Sequence, residues 1–167
     1  MKRGAQDHVE REFGYRFKSK ALIAQALDAI GMGLADGNKR LALLGDKMAA
    51  AAVTVEWYTS EAPRGNISHV AWLAILTTMI ASADRLIQAQ SDAQLAAIAR
   101  SIDLVEVITS NPGLSKRQAL ASAKTLANAL EAILGAIYID AGNDLGAVKA
   151  ALDSLGIPTA PPGLHGA

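Results

Sequence analysis

Two acidic residues stand alone in apolar stretches of this 167-residue chain. Asp46 closes the run Leu41-Ala42-Leu43-Leu44-Gly45 and is followed, after Lys47, by the apolar stretch from Met48 to Val53. Glu131 is the only charged residue between Lys124 and Asp140. A carboxylate in such surroundings is costly unless it is paired or binds a cation. Asn128 lies three residues before Glu131, so the two share a helix face. Two apolar helices carrying one isolated carboxylate each could converge on a divalent cation; the plainer alternative pairs Asp46 with Arg40, Lys47 or a distant base. Gly45 adds a second signal. A glycine inside a helix costs about 1 kcal/mol against alanine, so close backbone packing beside Asp46 is expected to justify it.

Other chemistries find little support. The chain has no cysteine, which excludes disulfides, thiolate metal sites and a cysteine nucleophile. No glycine-rich phosphate loop follows a strand pattern, and no Ser-His-Asp arrangement is visible. His8 and His165 fall in what read as loose ends, and His69 in an uncharged segment, so all three are expected to be incidental. The sequon Asn66-Ile67-Ser68 is read as chance, because the N-terminus lacks the apolar core of a secretory signal. Trp57, Tyr58 and Trp72 are expected in core or interface. Sixteen basic and sixteen acidic side chains cancel, so net charge does not draw the chain to nucleic acid or membrane.

The elements that position the two acids must be helical. Alanine occurs 34 times, while aromatic residues number seven; alanine is the strongest helix former and strands prefer aromatic and β-branched residues. The pattern predicts a short helix or arm over 5–13 and a helix capped by Ser19 over 20–30. A glycine-rich loop spans 31–38. A long helix is expected from about Lys39 to Thr59, with Leu41, Leu44, Met48, Ala51, Val55 and Tyr58 among its apolar positions. Further helices are predicted from Asp92, over 116–120, from Ser122 to Asp140, and over 144–155. The stretch 66–83 carries no formal charge. It is too polar for a membrane span of about 20 apolar residues, and reads as a buried or partner-facing helix.

These segments resemble the ribonuclease III domain. Gly14-Tyr15-Arg16-Phe17, followed by Leu22 to Leu27, is similar to the family's opening motif. Residues 38–46 look like its signature helix, residues 95–99 like its intervening helix, and residues 126–142 like its second catalytic helix. The resemblance implies an all-α fold: the ribonuclease III endonuclease-domain fold, a helical bundle with a long signature helix. It divides the chain into an arm or short helix (1–13), the domain (14–157) and a flexible tail (158–167), with no appended double-stranded-RNA-binding domain. It further implies Mg2+-dependent cleavage of double-stranded RNA, dimerisation through the signature helix, and an intracellular protein without membrane attachment. By this resemblance Asp46 and Glu131 are the catalytic residues, and Asp46, Asn128 and Glu131 the metal ligands.

The departures matter as much. Four acids form the family's site; here they fall on Ala42, Asp46, Asn128 and Glu131, and the acid preceding them falls on Lys39. Alanine binds no metal, and a neutral amide is a poorer Mg2+ ligand than a carboxylate. The resulting expectation is an eroded magnesium site, with weak or absent cleavage, on a homodimeric structural or RNA-associated protein. The alternative is an active Mg2+-dependent endoribonuclease with Asn128 assisting. A third reading makes 66–83 a partner-binding helix on an inactive scaffold. Six basic residues among the first twenty, and Lys116-Arg117 with Lys124, are candidate phosphate contacts or an ordinary solvated surface.

Overall fold

The computed structural model describes residues 4–29, 36–59, 92–109, 122–157 and 159, without the side chains of 57 and 58. These residues form seven helices: α1 (Ala5–Phe13), α2 (Lys20–Ala26), α3 (Lys39–Thr59), α4 (Asp92–Ser101), α5 (Leu104–Val107), α6 (Ala123–Asp140) and α7 (Leu145–Ser154). The expectations for 66–83, 116–120, Trp57, Tyr58, Trp72, His69 and His165 lie outside what is described.

The fold is organised around α6. From Leu126 to Ile137 every residue except Asn128 is buried. A helix apolar on all sides belongs at the centre of a bundle, and α3, α4, α2 and α7 all pack on it, α3 most extensively. Ser122 precedes α6 at the N-cap position. Gly142 and Asn143, both at positive φ, end it, and Asn143 N–H bonds back to the Tyr138 carbonyl at 2.8 Å. Asp144 then caps α7 through the Gly146 N–H at 2.8 Å.

The N-terminal segment is part of this body. Ala5, Val9 and Phe13, spaced four apart, form one buried face of α1, which packs against α7 and α5. His8 is therefore not in a loose end. It is half-buried on α1, with Nε2 2.7 Å from the Ile102 carbonyl oxygen and Nδ1 3.0 Å from Arg11 Nη2. The loop 14–19 is fastened to the end of α6. Asp140 accepts hydrogen bonds from the Lys18 and Ser19 N–H groups, each 2.8 Å, and from the Tyr15 hydroxyl at 3.0 Å. Phe17 N–H reaches Glu10 Oε1 at 2.9 Å, and the Tyr15 and Phe17 rings meet edge-on at 5.1 Å.

A further expectation needs correction. The helix capped by Ser19 stops at Ala26 rather than continuing to Ile30. Tertiary hydrogen bonds capture its last carbonyls: Asn38 Nδ2 bonds the Ala26 oxygen, and Thr109 N–H the Leu27 oxygen, both at 2.9 Å, beside a single Asp28–Thr109 bridge. The apolar positions of α3 did not by themselves specify its buried face. Leu41, Ala42, Gly45, Ala49, Ala52 and Val53 are buried, whereas Leu44, Met48 and Ala51 are half-buried and Val55 is exposed. Because α3 is apolar on most sides, periodicity does not single out a face; the closeness of its approach to α6 selects the small residues.

Candidate functional site

The crossing of α3 and α6 is made by two glycines facing one another. A methyl group on Gly45 would overlap the Glu131 carbonyl and lie 2.8 Å from the Gly135 nitrogen. A methyl group on Gly135 would overlap the Leu41 carbonyl and lie 3.0 Å from the Gly45 nitrogen. Backbone therefore meets backbone, which only glycine permits, and this is the packing reason Gly45 required. Asp46 follows one of these glycines and Glu131 sits one turn before the other. Asp46 and Glu131 thereby come to line one small, almost wholly apolar pocket together with Ala49, Leu95, Leu134, Leu152 and Ile157.

The two acids differ in environment. Asp46 is half-exposed and accepts Lys47 Nζ at 2.7 Å, so of the partners the sequence offered it takes Lys47. Arg40 instead lies 3.9 Å from Asp36. Glu131 is 9% exposed; among the described residues it makes no hydrogen bond or direct ion pair, and its carboxylate oxygens keep an edge to solvent. Burial, and after it the charges of Asp46 and Asp92, push its carboxyl above the usual range, while Lys124 and Lys47 pull the other way. Asn128 is half-buried one turn before Glu131, on the same face of α6. Ala42 is buried one turn before Asp46 and contributes only a methyl group there; Lys39 is exposed.

The structure adds two residues the sequence did not join to this site. Lys124 Nζ lies 3.3 Å from Asp92 Oδ1, and both act on Glu131 through space. Asp92 read as a cap and Lys124 as part of a basic group. The available signal was the spacing Lys124, Asn128, Glu131 (i, i+4, i+7), which places all three on one face of α6.

A divalent cation such as Mg2+ takes several oxygen ligands, usually carboxylates and waters. Asp46 and Glu131 line the pocket, and Asn128 lies on the same face of α6 as Glu131. Among the described residues no three acidic or histidine side chains come together to hold a metal ion. Two carboxylate residues thus line one pocket here, where the family resemblance implies four acids. The described residues carry no membrane span: none of their helices is long and apolar enough to cross a bilayer.

Comparison with known proteins gives this architecture its relatives. The ribonuclease-III-like family profile matches residues 19–151. Ribonuclease 3 of Hahella chejuensis is 32% identical over 138 residues, covering 81% of this chain and 54% of that protein. Ribonuclease 3 of Cupriavidus necator is 31% identical over 154 residues, covering 91% of this chain and 53% of that protein. The chain thus spans about half the length of the curated relatives it matches. Among solved structures, the nuclease domain of ribonuclease III from Campylobacter jejuni matches with a TM-score of 0.66 at 25% identity, covering 93% of this chain and 95% of that one. A second structure of that domain, described as flexible in a region involved in dimer formation, also matches with a TM-score of 0.66, at 26% identity.

Proposed function

The chain belongs to the ribonuclease III-like family, and from that premise we propose that it is a dimeric, RNA-associated protein with a nuclease-domain fold and an eroded magnesium site. Its cleavage of double-stranded RNA is weak or absent. What supports this reading is which residues α3 and α6 carry at the family's four acidic positions, with the two remaining acids lining one pocket. Asp46 and Glu131 line it together, while Ala42 and Asn128 stand where the family resemblance implies two more carboxylates. Metal ions in such hydrolases activate a water and stabilise the leaving oxygen. Each missing carboxylate weakens cation binding, and both losses fall on one site. Leu43 and Val55, 65% and 49% exposed on α3, supply apolar surface for a second copy.

One observation favours a second reading, an active Mg2+-dependent endoribonuclease. Glu131 remains ionisable and largely buried beside Asp46, with its carboxylate oxygens open to solvent, as a working ligand would be. A cleavage assay on long duplex RNA with Mg2+ or Mn2+ separates the two. The expected result is little or no product from the native chain, with gain of cleavage in the Ala42→Glu, Asn128→Asp double variant. Robust native turnover that disappears in Glu131→Gln overturns the eroded-site reading. RNA association is measured by duplex gel shift, whose affinity should fall with salt and show little sequence preference.

A further inference from the structure

We propose that the loop joining α1 to α2 is a phosphate-contact surface for double-stranded RNA, made by Arg16, Lys18 and Lys20. The inference rests on the RNA-associated reading above and deepens it, by naming a surface that touches the RNA. That surface is separate from the acid pocket. Asp140, to which the loop is fastened, lies nine residues beyond Glu131, about 13 Å along α6 and half a turn around it.

The first argument is how the loop is held. Its inner side is fixed: Asp140 accepts the Tyr15 hydroxyl and the Lys18 and Ser19 N–H groups, and Glu10 accepts the Phe17 N–H. Phe17 is buried and Tyr15 and Ser19 are half-buried, whereas Arg16, Lys18 and Lys20, which alternate with them, are exposed. Three basic side chains thus stand on a backbone whose conformation is already set, and binding need not order that backbone first.

The second argument is pairing. Arg11, Arg40, Lys47, Lys124 and Lys149 each have a carboxylate partner. Arg16, Lys18 and Lys20 make no ion pair or side-chain hydrogen bond with any described residue. The carboxylates of Asp140 and Glu10 beneath them are engaged by backbone N–H groups and by Tyr15; of the three basic side chains, Lys18 is felt by Asp140 through space. No acidic residue lies on α2. A chain of zero net charge therefore presents three unpaired basic residues within the short stretch 16–20.

The third argument selects the partner. Among the described residues the large apolar side chains left exposed are Leu43, Val55 and Ile139, none of them in this loop. Protein interfaces centre on buried aromatic and apolar anchors, whereas a phosphate backbone is held by Lys and Arg without them. Single-stranded nucleic acid is met by exposed aromatic rings on which bases stack. Here the two rings of the loop turn inward and meet each other edge-on at 5.1 Å. A duplex, recognised through its shape and phosphates, fits this surface best.

Fluorescence anisotropy with an RNA duplex of about 20 base pairs, in EDTA so that neither metal nor cleavage enters, tests this. Arg16→Gln with Lys18→Gln and Lys20→Gln should weaken binding about tenfold or more at low salt. It should also make the fall of log affinity with log salt shallower by about two to three, and each single variant by about one. Arg16→Lys with Lys18→Arg and Lys20→Arg should bind as the native chain. So should Arg40→Gln with Lys149→Gln, which removes basic residues already paired with carboxylates. Equal affinity and salt slope in the native chain and the triple Gln variant, with circular dichroism showing intact helices, overturn the inference and leave the RNA-associated reading standing; the single variants repeat the test should the triple one misfold. No duplex binding by the native chain at low salt overturns both. Polyglutamate bound as tightly as the duplex, and lost in the same variant, would mark a surface for acidic polypeptide and overturn the inference too.

Discussion

Glu131 and Asp140 lie nine residues apart on α6 and depend on pH in opposite senses. Glu131 titrates above the usual carboxylate range because it is buried next to Asp46. The folded state then holds its proton more tightly than the unfolded chain, so stability falls as pH rises from the unfolded value, near 4.3, through the raised folded value. Glu131→Gln should be more stable than the native chain at pH 7, and the gain should vanish on acidification; urea titrations between pH 4 and 8 measure it. Asp140 behaves differently. Burial alone would raise its pKa, but the Lys18 and Ser19 N–H groups and the Tyr15 hydroxyl outweigh burial and lower it. Its contribution is present above the unfolded value of about 3.9 and is lost as pH falls through the lowered folded one. Asp140→Asn should cost about 1–3 kcal/mol at pH 7, and much less in acid, where the native carboxyl is itself protonated. The same hydrogen bond, together with burial and the Asp140 charge, pushes the Tyr15 hydroxyl up to about 12.

At the scale of elements, the α3–α6 crossing is the contact on which the site depends. Gly45→Ala should cost about 3 kcal/mol or more, because both neighbours of the new methyl group are backbone and cannot rotate away. Gly142→Ala is the control. Its φ is +81° with open space around the missing side chain, so only backbone strain of about 1–2 kcal/mol is expected. Thermal or urea denaturation of the two variants compares them directly. If Gly45→Ala is the milder, the backbone contact is not what joins the helices. Ser19→Ala tests a smaller device: loss of the bond from Leu22 N–H to its hydroxyl, 3.4 Å long, should cost about 1 kcal/mol.

For the molecule as a whole, the proposed dimer sets the functional question. Leu43 and Val55 are large apolar residues left at the surface of α3. Their spacing of twelve residues is about three and a third turns, so the two side chains point about 120° apart around α3 and offer two separate apolar positions. Sedimentation of the native chain should give a dimer, and Leu43→Asp with Val55→Asp should shift it toward monomer without loss of helix. A native chain that sediments as a monomer at tens of micromolar would remove the dimer from the proposed function.

Much was settled locally. The bounds of α3, α6 and α7 follow from apolar runs, Asp144, Gly142-Asn143 and Gly156, because caps and periodicity act within a few residues. The isolation of Asp46 and Glu131, and the demand of Gly45 for a close neighbour, are likewise written in the chain. Other features needed distant partners. The early end of α2 depends on Asn38 and Thr109, and the structured role of α1 on surfaces that α5 and α7 provide. The choice of the small-residue face of α3 comes from Gly135, ninety positions away. That Asp46 and Glu131 line one pocket, and that Lys124 reaches Asp92, are matters of how helices cross. Helical spacing dictates which residues share a face; only packing decides which faces meet.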